Sequence, residues 1–167
     1  MAVQALILSV LNYCLPVWGS ASKTQINRAQ KIMNFAARIA IGGVKKHDHV
    51  SPIFEKLKWL KIKPRFMYSI CILVFKSINN ILPEWVFPLP TVRETRENRV
   101  TTRYQGNLFV PRTITDTGAR NFKVIGPKFW NQLPHDITNA QSLNSFKTRL
   151  MHYLFNAQVS QESHLNM

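Results

Sequence analysis

The stretch SKTQINRAQKIMNFAARIAIGG (residues 22–43) decides how the rest of the chain is read. Ser22-Lys23-Thr24-Gln25 matches a capping box, with Ser at the N-cap and Gln three residues on, so that each side chain can satisfy a backbone amide of the opening turn. The helix it opens runs to about Ile41, where Gly42-Gly43 ends it. At helical spacing Ile26, Ala29, Met33, Ala36, Ala37 and Ala40 share one side, and Arg28, Lys31 and Arg38 fall within a narrow arc on the other. Phe35 breaks this division, because it lies among the cations. Such a basic stripe is either a solvated face or a surface for phosphates.

Working outward, helical signals recur. Residues 2–14 read as a helix stopped by Pro16. Ser51-Pro52 repeats the start signal, with Ser as N-cap and Pro at the first helical position, and predicts a short helix to about Trp59. Leu60-Lys61-Ile62-Lys63 alternates, as a brief extended stretch would. Pro64 then opens a helix to about Ile78, closed by Asn79-Asn80. Apolar residues surround it (Phe66, Met67, Ile70, Ile72, Leu73, Val74, Phe75), which marks it as the central buried helix. One or two short helices, broken at Gly126-Pro127, are expected over 119–131. A final amphipathic helix runs from Ser142 to about Asn156, with Leu143, Phe146, Leu150, Tyr153 and Leu154 on its apolar stripe. Beyond Ala157 the chain is polar and reads as a frayed tail.

Between these helices, Pro83, Pro88 and Pro90 and a charged run make 83–98 a linker. Gln105-Gly106-Asn107, flanked by Arg99 to Tyr104 and Leu108 to Thr113, suggests a hairpin of short strands. The fold class is thus mainly α: a helical unit over 1–82, the linker over 83–98, a small α+β extension with a short β-hairpin over 99–157, and a disordered tail over 158–167.

The 167 residues include 22 Lys+Arg and 8 Asp+Glu, a formal net charge of +14, while 46% are hydrophobic and only 18% charged. A chain this apolar is no charged disordered tail. Its charge arises from missing acids, and it points to an acidic or phosphate-bearing partner. Lys23 to Arg65 holds eleven basic residues and two acids, a net of +9, and Arg93 to Lys128 holds eight and three, a net of +5. The segments outside these two are neutral.

The eight acids are scattered, apart from Glu94 and Glu97 in an Arg-rich segment. Two-metal phosphoryl chemistry needs clustered carboxylates, and neither a Gly-rich phosphate loop nor a nucleophile elbow is present. No catalytic residue, cofactor or small-molecule substrate is therefore expected. His47-Asp48-His49 can be weighed as a metal triplet. No Cys or His follows at a finger-like spacing, and a local role for Asp48 ahead of the Ser51-Pro52 cap is preferred, so no metal is expected. Cys14 and Cys71 sit in apolar runs, as buried reduced thiols of an intracellular protein, nuclear or cytoplasmic, would; a disulfide is the alternative. Met1 to Trp18 imitates a signal peptide but lacks a basic start and is interrupted by Gln4 and Asn12; it reads better as a buried helix whose upstream neighbour is missing. Phe66 to Phe75 covers about half of the ~20 residues a membrane helix needs, so no span is expected.

A run of landmarks, taken in order, resembles one known family. Leu11-Asn12-Tyr13-Cys14-Leu15-Pro16-Val17-Trp18-Gly19 is similar to the segment just downstream of the polymerase core in LINE-type (non-LTR, jockey-like) retrotransposon reverse transcriptases. Gln30-Lys31 through Ala36-Ala37-Arg38-Ile39 is similar to a basic helix of that family. Asp48-His49-Val50-Ser51-Pro52 follows, with Leu57, Trp59, Leu60, Arg65 and Phe75-Lys76-Ser77-Ile78-Asn79. Val110-Pro111-Arg112, Gly118, Arg120, Phe122 and Gly126-Pro127-Lys128-Phe129-Trp130-Asn131-Gln132-Leu133-Pro134 come next, then Ser142-Leu143, Phe146-Lys147 and Leu150. The resemblance covers about residues 6–155. It implies the thumb-like helices and C-terminal extension of such a polyprotein, in a truncated copy. The family's catalytic carboxylates belong upstream, and no position here receives one.

A thumb-like unit grips duplex through its backbone, which calls for basic helix faces without sequence readout. The expected phosphate contacts are Arg28, Lys31, Arg38, Lys45 and Lys46, then Lys61, Lys63 and Arg65. Arg93, Arg96, Arg99 and Arg103, spaced 3, 3 and 4, are a second set that lines one side if the segment folds as a helix. Trp18, Trp59, Trp85 and Trp130 could stack on bases, but core packing is preferred for each. The expected partner is RNA or RNA–DNA duplex, bound non-specifically. The alternatives are a structural module docking on a reverse transcriptase core and a pseudogene product without independent activity.

Overall fold

The computed structural model describes residues 4–42, 48–83, 89–91 and 107–165 of the chain. It is mainly helical. A π-helical turn, Gln4–Leu8, runs into α1 (Ser9–Asn12), followed by α2 (Leu15–Trp18), α3 (Lys23–Ile41), α4 (Ser51–Leu57), α5 (Ile62–Ile78), α6 (Asp116–Ala119), α7 (Phe122–Trp130), α8 (His135–Thr138) and α9 (Leu143–Leu165). Among the described residues there is no strand, only an isolated antiparallel bridge between Thr91 and Leu108. The chain divides into two compact units, Met1–Tyr68 with Met151–Met167, and Ser69–Leu150. That division differs from a break at 83–98, of which residues 84–88 and 92–98 lie outside the described chain.

The first unit begins with a bend that hydrophobic periodicity does not reveal. The chain turns at Cys14, whose φ of 49° is left-handed, and Pro16 sits inside α2 rather than ending the helix before it. In a first helical turn a missing N–H costs nothing, because that amide has no partner anyway. Gly19 follows at a close approach: a Cβ there would lie 2.2 Å from Phe66 Cδ2 and 2.6 Å from the Leu15 carbonyl oxygen. Ser22 takes the expected N-cap position of α3, but its side chain makes no capping hydrogen bond. Gly42, at φ 73°, ends α3 and donates its N–H to the Arg38 carbonyl at 3.0 Å.

α3 buries Ile26, Met33, Ala36 and Ala37 as expected, whereas Ala40 is exposed. They pack with Leu8, Ile53, Phe54, Trp59 and Ile62 into one apolar cluster, with Trp18, Ala29 and Leu57 partly buried against it. Burial of a Phe side chain such as Phe54 stabilises by about 1.5–3 kcal/mol. α4 starts at Ser51 itself, with Val50 as N-cap and Pro52 in the first turn, and ends two residues short of Trp59. Its end is a Schellman motif: Trp59 N–H bonds the Phe54 carbonyl at 2.9 Å and Lys58 N–H the Glu55 carbonyl at 3.1 Å. Lys58 stands at the left-handed position, φ 53°, that favours glycine.

Leu60 to Lys63 is not one extended stretch, because α5 already begins at Ile62. Two glutamines make that start possible. Ile62 N–H donates to Gln30 Oε1 at 2.8 Å and Lys61 N–H to Gln158 Oε1 at 2.8 Å, while Gln158 Nε2 reaches the Trp59 carbonyl at 3.3 Å. Gln158 is buried, so the chain beyond Ala157 is no frayed tail: α9 continues to Leu165. Every residue of α5 from Pro64 to Ser77 is buried or half-buried, as its all-round apolar sequence requires. It closes in a second Schellman motif, with Asn80 left-handed at φ 53° and Ile81 N–H on the Lys76 carbonyl at 2.9 Å.

The second unit centres on three rings. Phe75 and Phe146 stack with centroids 4.5 Å apart, and Trp130 lies 5.6 Å from Phe146. Around them Ile70, Cys71, Val74, Val124, Leu133, Ile137 and Leu150 are buried. Gly126-Pro127 does not break α7. Asn121 caps the helix from Lys123 N–H, and Pro127 is itself buried within it. Proline in a helix interior forfeits one backbone bond, and here the buried packing outweighs that loss. The expected β-hairpin over 99–113 is not supported. Residues 99–106 lie outside the described chain, and Leu108 pairs instead with Thr91 and with Asn131. The Asn131 amide takes both backbone groups of Leu108, accepting from its N–H at 3.0 Å and donating to its carbonyl at 2.9 Å.

The cysteines divide. Cys71 is buried, as expected, and burial pushes its thiol up to about 12. Cys14 is exposed, against expectation, because the turn it occupies points out of the apolar cluster. Both are free thiols. At pH 8 a small alkylating reagent should label Cys14 alone in the folded chain and both cysteines in denaturant, as read by mass spectrometry; labelling of Cys71 in the folded chain would contradict its burial. Lys58→Gly should raise the unfolding free energy by about 0.5–1 kcal/mol, since glycine relieves the left-handed strain. Chemical denaturation with an unchanged m-value is the measurement.

Candidate nucleic-acid interface

The outer face of α3 assembles most of what the sequence places in its basic stripe. The helix carries Lys23, Arg28, Lys31 and Arg38 and no acid. Arg28 and Lys31 are exposed. Arg38 is half-buried; its Nη2 donates to the Asp48 carbonyl at 3.1 Å, and its buried Nε has no partner. That bond ties the guanidinium to the chain just before α4 and fixes where its charge sits.

The same face is more apolar than an outer face needs to be. Ile32 is 54%, Phe35 62% and Ile39 50% exposed. They are spaced i, i+3 and i+7, so their side chains neighbour one another on the surface. At ~100° per residue they form a strip between the buried side of the helix and a row made by Lys31 and Arg38. The sequence signal for this strip is Phe35, which breaks the clean separation of apolar and basic sides, and the same helical spacing puts Ile32 and Ile39 beside it.

The other expected contacts fall into four groups. Lys63 is exposed at the first turn of α5. Lys61 is half-buried, and its backbone is held by Gln158. Arg65 is half-buried and serves as a structural tie. Its Nη1 donates to Asn12 Oδ1 at 3.1 Å and its Nε to the Leu60 carbonyl at 3.3 Å, which joins the N-terminal segment to the start of α5. Burial lowers the Arg65 guanidinium below its ordinary value, with Tyr68 nearby opposing the shift; burial likewise raises the Tyr68 hydroxyl. Lys45, Lys46, Arg93, Arg96, Arg99 and Arg103 lie outside the described residues. Lys56 and Lys58 are exposed at the end of α4 and add two cations that no sequence motif singles out.

The tryptophans follow the packing preference. Trp59 and Trp130 are buried, Trp18 is half-buried with its Nε1 on the Tyr13 carbonyl at 2.9 Å, and Trp85 is outside the described residues. Among the described residues no three His, Cys, Asp or Glu side chains gather in a group that could hold a metal ion. Among them, too, no helix is long and apolar enough to cross a membrane.

Comparison with family models, with curated proteins and with solved structures finds no match to this chain.

Proposed function

We propose that this chain is the C-terminal, thumb-like region of a LINE-type reverse transcriptase polyprotein, one that holds RNA or RNA–DNA duplex through the phosphate backbone and has no polymerase active site of its own. The observation that carries the reading is the outer face of α3, where Arg28 and Lys31 are exposed on a helix without a single acid. The ordered landmarks from Leu11-Asn12-Tyr13 to Leu150 support the family. The +9 of Lys23 to Arg65 supports the partner. Backbone contacts need cations on a fixed scaffold and no base-reading groups, and α3 is held in place by the apolar cluster on its inner side. Such a chain acts intracellularly on nucleic acid.

Binding of a labelled RNA–DNA duplex should weaken steeply with salt, with a log–log slope of about 0.7–0.9 per phosphate neutralised. Arg28→Glu with Lys31→Glu should lower that slope by about 1.4–1.8, two contacts' worth. Binding that ignores salt overturns the reading, and an unchanged slope in the double variant moves the contact off α3.

A second reading, a module that docks on a reverse transcriptase core, is favoured by a different observation. Leu6, Val10, Tyr13 and Val17 are each more than two-thirds exposed. They lie along the segment on both sides of the bend at Cys14, and no charged side chain occurs before Lys23. An apolar run of this kind marks an interaction surface. On this reading the isolated chain self-associates as its concentration rises, and Val10→Asp with Tyr13→Asp returns it to a monomer in sedimentation. A wild-type chain that stays monomeric throughout removes the reading.

A further inference from the structure

Resting on the nucleic-acid reading above, and deepening it, we propose that the outer face of α3 is a platform for single-stranded nucleic acid, on which Phe35 stacks a base between Ile32 and Ile39 while Lys31 and Arg38 hold the adjoining phosphates. Scattered apolar residues on a surface need no explanation. Three neighbouring ones, each half or more exposed, beside a row of cations on an acid-free helix form a pattern with a chemical meaning. Base faces are flat and apolar and stack on aromatic rings whatever the base, while the phosphates follow positive charge.

The geometry places the apolar strip and the cations side by side, with Arg28 one turn before Ile32 at the N-terminal end of the strip's own arc. The Ile32–Phe35–Ile39 strip lies next to the buried side of the helix, and Lys31 and Arg38 lie along its far edge. Those two cations are seven residues apart, about 10 Å along the helix axis, which matches a short run of nucleotides laid parallel to α3. Arg38 is fixed by its bond to the Asp48 carbonyl, so one end of the row is preorganised. Duplex keeps its base faces inside its own stack and offers α3 only phosphates, so the apolar strip has no use there. A second copy of this chain brings the same cations to the contact, and the like charges oppose it.

The test is fluorescence anisotropy of the full chain with a labelled oligo-dT of about twenty nucleotides and with a duplex of the same length, over a salt series. Phe35→Ala should weaken oligo-dT binding roughly five- to hundredfold, leave the salt slope of that binding unchanged, and leave duplex binding unchanged. Phe35→Trp should restore the single-strand affinity. Because Phe35 is outside the core, the melting curve followed by circular dichroism should be the same in all three chains. Oligo-dT binding that Phe35→Ala leaves intact overturns this proposal alone, as does an equal loss on strand and duplex. Failure of the wild-type chain to bind either probe overturns the nucleic-acid reading with it. Self-association abolished by Phe35→Ala, with oligo-dT binding intact, reassigns the strip to a protein contact and overturns the proposal.

Discussion

The backbone amides that open α5 are the constraint around which the first unit is arranged. A helix start leaves amides without intrahelical partners, and burying one unpaired costs about 1–3 kcal/mol. Here no local Ser or Asp supplies the cap. Gln30 from α3 bonds Ile62, and Gln158 from α9, 97 residues from Lys61 in sequence, bonds Lys61. Gln30 is itself oriented by Asn34, whose Oδ1 accepts from its Nε2 at 2.7 Å. Two helices distant in sequence thus meet at one helix end, and the apolar cluster of Ile26, Met33, Phe54, Trp59 and Ile62 closes beside that point. α3 is a fixed platform for its outer face because its inner face and one of its polar side chains are both committed here.

How legible these features are follows from the range over which each signal acts. α3 can be read because its start, its periodicity and its Gly42 stop all lie within one stretch. The same holds for the apolar stripe of α9 and for Asn79-Asn80 as the end of α5. The features that local pattern misses involve partners far away. Gln158 looks like tail composition until its bonds to Lys61 and Trp59 are known. Leu108 looks like the edge of a local hairpin, yet its bridge is to Thr91 and its own backbone groups bond the Asn131 amide. Pro16 and Pro127 look like breaks, although one falls in a first turn and the other in buried packing.

The candidate site shows the same division. Arg28 and Lys31 need only helical spacing to be placed on an outer face. Arg65 needs the fold, since its role depends on Asn12, 53 residues away, and on the Leu60 carbonyl. Phe35 stands out as an anomaly in the sequence alone. Its meaning comes from the exposure of Ile32 and Ile39 beside it. Helical spacing places both isoleucines off the buried side, but only the fold shows that nothing covers half of each.

The long-range polar bonds described here run through carboxamides: Gln30 and Gln158 at α5, Asn131 at Leu108, Asn12 at Arg65. A carboxamide carries no charge and does not titrate. Clamps of this kind are not loosened by acid, as carboxylate clamps are when protonated, nor screened by salt, as surface ion pairs are. A chain this poor in acids has therefore built these joints without carboxylates, with carboxamides at each and the Arg65 guanidinium at one of them. Its scaffold and its charge answer to different variables, so a polyanion or a change of ionic strength can act on the surface while these joints stay closed.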